Sequence, residues 1–233
     1  MGRLSGAAIA LAGGLLAWVP VASAQNVDVG AMASVQRAVY GVPPQGSQAV
    51  KQQGDTVVFQ EALETVENGA ALVRFVDDST LALGAKSKVV IDSFVFDPQT
   101  AQGNALINIS VGTLRFVTGG MPKGGTTIKT PTATLVLRGT DVTVHVHPDG
   151  TTDTTVHEGE VDAHNDQTNE TSNLQPGDGA TIGEGGNSCF DGDNPSTGPD
   201  EDGGPGDPPE HRRAADPKNQ RPDHTEHYNY FSN

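Results

Sequence analysis

The chain has 233 residues and is acidic, with 29 Asp and Glu against 14 Lys and Arg and a formal net charge of −15. Nucleic acids and anionic membrane surfaces are bound largely by Lys and Arg, so this balance argues against both as partners. Cys189 is the only cysteine, which excludes an internal disulfide framework and leaves packing and backbone pairing to supply stability.

The first 24 residues read as a secretory signal peptide. Arg3 supplies a positive start, Ala7 to Val21 is apolar, and Ala22-Ser23-Ala24 is a small-x-small site just before Gln25. The apolar run is shorter than the ~20 residues a membrane span needs and is broken by Pro20. No cysteine stands at the cleavage site to carry a lipid. An exported protein, periplasmic or secreted to the cell surface or medium, is the expectation.

Residues 25–53 are polar and mixed, with Pro43-Pro44 and a strand candidate around Ser34–Val39, and are expected as a lead-in that adds a first strand. From residue 54 to 182 short runs alternate apolar and polar residues, the period of half-buried strands. They include Thr56–Phe59, Ala71–Val76, Val89–Phe96, Ala105–Val111, Leu114–Val117, Ala133–Leu137 and Val142–Val146. Turn residues punctuate them at Glu67-Asn68-Gly69, Asp77-Asp78-Ser79, Asp97-Pro98, Gly119-Gly120, Gly124-Gly125 and Pro148-Asp149-Gly150. No window shows sustained helical spacing. The expected fold is all-β, an antiparallel sandwich or solenoid-like roll of many short strands.

One hairpin can be resolved to its register. A three-residue Pro148-Asp149-Gly150 loop pairs Val142 with Val156 and keeps both on the core face, whereas a two-residue turn would slip the strand and bury its polar set. In that register Asp153 lies opposite His145, and His157 opposite Asp141. Residues 183–233 are expected as a disordered tail, because Asp191–Glu210 contains no aliphatic, aromatic or basic residue with which to offset chain entropy. The last segment turns basic and then aromatic (His211, Arg212, Arg213, Tyr228, Tyr230, Phe231) and reads as an unstructured terminus.

Gly54 to Ala163 resembles the FecR domain family, named for a periplasmic regulator of ferric-citrate uptake. The matching features occur in order. Gly54-Asp55 and Thr65 come first, then Ala71–Asp92 with Phe75, Asp77-Asp78-Ser79, Leu81 and Leu83. Ile109–Gly119 follows, then Ile128–Val144 with Thr130-Pro131 and Arg138-Gly139-Thr140, and finally Val156–Asn165. The resemblance implies an extracytoplasmic β-domain without catalytic residues that serves signal transmission or binding. A cleavable signal stands where the regulators carry a cytoplasmic anti-sigma segment and spanning helix, and an acidic tail stands where they carry a second domain. The expectation is therefore the domain without the transmembrane circuit.

Candidate sites are few. Thr130, Pro131, Arg138, Gly139 and Thr140 are read as a structural motif, with Gly139 at a bulge or close approach and Arg138 paired to a carboxylate. His145, His147 and Asp153 are the candidate metal ligands, set against the simpler reading of cross-strand His–Asp pairs on a solvated face. Asp77 and Asp78 read as turn chemistry, and Cys189 as an incidental thiol. Gly119–Thr126 lacks the order of a phosphate loop, and Asp191–Asn194 lacks the glycine of a calcium loop. No nucleophile elbow or His-Glu-x-x-His is present. No cofactor and no catalytic residue are expected. The function expected is non-enzymatic binding of an envelope protein or ligand in signalling or regulation. The alternative is a secreted or cell-surface polysaccharide-binding or structural module, disfavoured because the chain's single Trp lies in the signal segment.

Overall fold

The structure, a computed structural model, describes residues 27–190. All its regular elements are strands. They are β1 (Asp28–Gln36), β2 (Val39–Val42), β3 (Ala49–Lys51), β4 (Thr56–Val58), β5 (Ala62–Thr65), β6 (Ala70–Phe75), β7 (Thr80–Leu83), β8 (Lys88–Asp97) and β9 (Gln102–Val117). Next come β10 (Thr126–Lys129), β11 (Ala133–Leu137), β12 (Asp141–Val146) and β13 (Thr152–Glu158). The last four are β14 (Val161–Asn165), β15 (Thr171–Leu174), β16 (Gly179–Gly183) and β17 (Gly186–Phe190).

The pairings resolve into two sheets that share β9. One sheet runs β4-β1-β6-β7-β9-β12-β13-β16-β17. The other runs β3-β2-β5-β8-β9-β10-β11-β14-β15. Every pair is antiparallel except β9–β10, where Ile107 lies beside Ile128 in parallel. From β6 onward the chain passes back and forth between the two sheets: β6–β7 on the first, β8–β9 on the second, the end of β9 on the first, β10–β11 on the second, β12–β13 on the first, β14–β15 on the second, β16–β17 on the first. This is the roll that the alternating pattern predicts.

One core lies between the sheets. Leu114, Phe116, Val142, Val144 and Ile182 enter it from the first sheet, and Ile91, Ile107, Ile128, Leu135 and Val161 from the second, all under 2 % exposed. Alternation produces this directly, since the core strands such as β6, β9, β11 and β14 bury every second residue. Phe75 on β6 stacks on Phe94 of β8, with ring centroids 4.3 Å apart and planes at 7°, so the sheets touch through aromatic faces.

The corner is made by β9. Its residues 102–111 pair with β8 in the second sheet, and residues 112–117 pair with β7 and β12 in the first. Gly112 (φ +99°) sits at the join. Beside it the buried Ser87 accepts a hydrogen bond from the Thr113 N–H at 2.9 Å and donates to the Thr113 carbonyl at 3.0 Å.

The sequence expectation differs at both ends of the described chain. The candidate strand Ser34–Val39 is split: β1 ends at Gln36, Arg37 takes a left-handed turn (φ +59°), and β2 begins at Val39 in the opposite sheet. At the other end β17 lies within the stretch expected to be tail. Its Asn187, Ser188 and Cys189 give no apolar alternation, and pairing with β16 orders it instead. The calcium-like Asp191–Asn194 and the terminal basic and aromatic residues lie outside the described residues, as does the signal segment.

The core carries an internal defect that can be tested. Thr154 is fully buried on β13 and its hydroxyl has no hydrogen-bond partner. An unmet buried hydroxyl costs about 1–3 kcal/mol, and valine is nearly isosteric. Thr154→Val should therefore stabilise the fold by about 1–2 kcal/mol, raising the melting midpoint by roughly 2–6 °C for a chain of this size. Calorimetric melting checks this. A lowered midpoint would mean that the hydroxyl is bonded after all.

Candidate functional site

Asp141, Thr143 and His145 alternate with the buried Val142, Val144 and Val146, which places them on the outer face of the first sheet. The β12–β13 hairpin has the register the Pro-Asp-Gly loop predicts, with Val142 opposite Val156 and His145 opposite Asp153. Gly150 takes φ +91°, and its N–H donates to the His147 carbonyl at 2.9 Å. Position 157 departs from expectation. A bulge between Asp141 and Val142 sets Glu158, not His157, opposite Asp141. His157 instead reaches diagonally across to the Thr143 hydroxyl on β12, its Nε2 at 2.9 Å.

The three proposed metal ligands lie together but are already engaged. His147 Nε2 is 2.7 Å from one carboxylate oxygen of Asp153, and the other oxygen accepts the Thr181 hydroxyl at 2.8 Å. His145 Nδ1 is 2.6 Å from the Thr113 hydroxyl, and its ring meets that of His147 edge-on with centroids 4.4 Å apart. A polar row thus crosses four strands from Thr113 through His145 and Asp153 to Thr181. Among the described residues no three His, Cys, Asp or Glu side chains converge to hold a metal ion. The arrangement is a ladder of cross-strand hydrogen bonds, and the His147–Asp153 contact is half-exposed and open to solvent screening.

Next to this row, Arg115 clamps Asp141 in a two-point contact, Nε to Oδ1 at 2.8 Å and an Nη to Oδ2 at 2.6 Å. That hydrogen bonding holds the Arg115 guanidinium above its ordinary pKa.

Arg138-Gly139-Thr140 carries the chain from β11 in the second sheet to β12 in the first. Arg138 donates through Nε and an Nη to Asp162 Oδ2 at 2.8 and 2.6 Å. Gly139 has φ +70°, a conformation that L residues other than Asn and Asp rarely take. Behind it Gly159 approaches so closely that a Cβ there would strike the Gly139 carbonyl group. The Thr140 N–H donates to the Thr118 hydroxyl, and the Thr118 N–H to the Thr140 carbonyl. Thr130 and Pro131 form the β10–β11 turn. The Thr130 hydroxyl accepts from the Ala133 N–H at 2.9 Å and from the Thr152 hydroxyl at 2.7 Å. The turn at Asp77 works similarly: one carboxylate oxygen accepts the Ser79 N–H at 2.9 Å, the other the Met121 N–H at 3.0 Å. Asp77 thereby ties the glycine-rich 119–121 segment to the β6–β7 turn.

Cys189 is exposed, its Sγ 3.3 Å from the Ser172 hydroxyl. One buried charge pair escaped sequence reasoning. Lys51 Nζ lies 2.6 Å from Glu61 Oε1, with the glutamate side chain wholly buried. Ten positions separate the two residues, and neither sits in a recognisable motif.

Several surface carboxylates are held below their ordinary range. For Asp162 the causes are a hydrogen bond from Asn173 and then Arg138. For Asp97 and Asp149 they are chiefly backbone N–H donations from Gln99 and Thr151, and for Glu67 the Lys86 ammonium. A carboxylate whose folded pKa is depressed adds stability above its unfolded pKa and loses it as pH falls through the folded one. The thermal midpoint should be level above about pH 5 and fall below about pH 4. Asp162→Asn should flatten that fall, as circular dichroism melts across pH would reveal. An unchanged slope would remove Asp162 from the acid response.

Comparison with known proteins gives a family. Residues 61–162 match the model of the family described as FecR protein, a span from β5 into β14. No curated protein sequence matches the chain. Two crystal structures of a proposed anti-sigma factor from Parabacteroides distasonis ATCC 8503 are similar in fold, at 16% and 14% identity with TM-scores of 0.45 and 0.43. Each comparison covers 55% of this chain and 57% of that chain, so the likeness spans little more than half of either. Among the described residues no helix is long and apolar enough to cross a membrane. The segment from Glu61 to Asp162, laid out as hairpins on two sheets, is the part of the chain that matches the FecR family.

Proposed function

We propose that this chain is an exported, non-enzymatic FecR-domain protein that binds an envelope protein or ligand in signalling or regulation. The FecR match over residues 61–162 carries this reading, because that family supports a regulatory role. The chemistry of the surface agrees with it. The polar side chains of this surface spend their hydrogen bonds on one another: Arg138 on Asp162, Arg115 on Asp141, His147 on Asp153. Such groups position strands rather than converge on a reacting atom. The signal-like first 24 residues support export, and the acidic balance directs attention to protein partners over nucleic acid.

The test is photo-crosslinking of the purified chain in envelope extract, with the photoreactive residue introduced at exposed positions of each sheet. One protein captured reproducibly, and released by excess unlabelled chain, is the expected result. Substrate turnover abolished by a single polar substitution would overturn the non-enzymatic reading, and the absence of any competed crosslink would overturn binding.

A further inference from the structure

Strand β8 outruns its partner on one side. β9 pairs with it from Lys88 opposite Val111 to Asp97 opposite Gln102, with a bulge between Ile91 and Ser93 that leaves Asp92 out of register. On the other side β5 pairs only with Lys88, Val89 and Val90. Main-chain pairing there ends where the Gln60 N–H donates to the Ile91 carbonyl at 2.8 Å and the Ile91 N–H to the Glu61 carbonyl at 3.1 Å. From Asp92 to Asp97 no described residue pairs with the outer edge. Alternate residues of such an edge present N–H and C=O groups outward, ready for another strand.

The edge is stiff and its ends are charged. Phe94 is buried against Phe75, and Phe96 packs against the core, so two anchors fix the strand from behind. Val95, between them, is 61% exposed. Ser93-Phe94-Val95-Phe96 runs regularly between the Asp92 bulge and Asp97, whose carboxylate also accepts the Gln99 N–H and the Thr100 hydroxyl, so an acidic group stands at each end of the edge. The other edges are less suited. β3 is three residues long and carries Lys51, while β17 is tied to β15 through Asn187 and Cys189 on Ser172.

Charge selects the occupant. A second copy laid two-fold and antiparallel on this edge, Val95 opposite Val95, would set Asp97 of each chain opposite Ser93 and beside the bulged Asp92 of the other, crowding like charges at each end. A neutral β-branched stretch with Lys or Arg at both ends would instead gain backbone bonds along its length and an ion pair at each terminus. We propose that the Asp92–Asp97 edge of β8 is a strand-addition site for an extended protein segment whose short β-branched stretch is flanked by basic residues. This rests on the protein-binding reading above and gives it a surface.

The test uses the purified chain with a blocked hexapeptide, Lys-Thr-Val-Thr-Val-Lys, and the same peptide with glutamate at both ends. The lysine peptide should slow amide hydrogen exchange at Asp92–Asp97 and bind roughly tenfold more tightly than the glutamate peptide, the expected sum of two weak ion pairs replaced by two repulsions. N-methylation of alternate peptide amides should abolish binding. Asp92→Lys should erase the preference for lysine, with Asp92→Asn as the milder variant should the first fail to fold. Equal affinity for both peptides, protection at another edge, or no binding would overturn the proposal. An envelope protein crosslinked through a different face would also overturn it while leaving the protein-binding reading intact. Absence of both peptide binding and any competed crosslink would end the two together.

Discussion

Lys51→Ala should destabilise the fold by about 3–5 kcal/mol, the cost of leaving one member of a buried ion pair without its partner. Glu61 begins β5's approach and is fully buried, with Lys51 Nζ 2.6 Å from its Oε1. That contact is one of charge rather than of directed hydrogen bonding, for Oε1 has no well-aligned donor. Its Oε2 accepts the Val58 N–H at 3.0 Å, and the Lys51 ammonium also donates to the Thr56 carbonyl at 2.8 Å. The pair therefore ties the edge strand β3 to the β4–β5 turn, where the chain crosses between sheets. Gly41 makes room for it, since a Cβ there would meet both the Glu61 carboxylate and the lysine stem.

The decisive comparison is between single and double variants. Lys51→Met alone leaves a buried carboxylate beside an apolar side chain, whereas Lys51→Met with Glu61→Leu removes both charges together. Replacing a whole buried pair with apolar groups is often neutral or stabilising, so the double variant should recover most of the loss. Urea titration of the chain, the two single variants and the double one measures the coupling. A loss below about 1 kcal/mol for Lys51→Ala would place the pair with exposed bridges, whatever its burial.

This pair also marks where the sequence stops being legible. The strands that alternate cleanly, such as Ala133–Leu137, are found at their expected bounds, because burial of every second residue is written locally. The β12–β13 register follows from a turn whose proline and glycine fix the backbone. Strands such as β5 (ALET), β15 (TSNL) and β17 (GNSCF) have no such pattern and exist because a neighbour offers a paired edge. The same holds for the candidate site. Arg138 finds the carboxylate that an exposed strand arginine seeks, but the bulge that turns His157 away from Asp141 arises where Gly159 crosses Gly139, neighbours in space that are far apart in sequence. His145 and His147 share a face by alternation, yet the contact of His147 Nε2 with Asp153 depends on ring orientation across the hairpin.

Gly112→Val should be about as costly, near 3–5 kcal/mol, and for a reason that local alternation hides. Ala105–Val111 and Leu114–Val117 read as two separate runs, but they are one strand, β9, which passes from one sheet to the other without leaving β structure. At the passage Gly112 has φ +99°, where a β-branched residue is strained by about 1–3 kcal/mol. A Cβ at this position would also lie within 2.5 Å of the Ser87 Cα and 2.8 Å of its Cβ, adding an overpacking cost of about 1–3 kcal/mol. Ser87 cannot retreat, because its hydroxyl closes hydrogen bonds with both the N–H and the carbonyl of Thr113 and its own N–H donates to the Thr65 hydroxyl at 2.9 Å. Ser87→Gly removes the side chain but leaves the backbone in place, so Gly112→Val with Ser87→Gly should rescue little. Gly112→Ala should fall between Val and wild type, since it retains the positive φ and the crowding against the Ser87 backbone but drops the branch. Because the two sheets share this strand, the loss should appear as one cooperative transition moved to lower denaturant rather than as a separate unfolding of either sheet. Two resolved transitions, or full rescue by Ser87→Gly, would show that the corner is not the point through which the sheets are coupled.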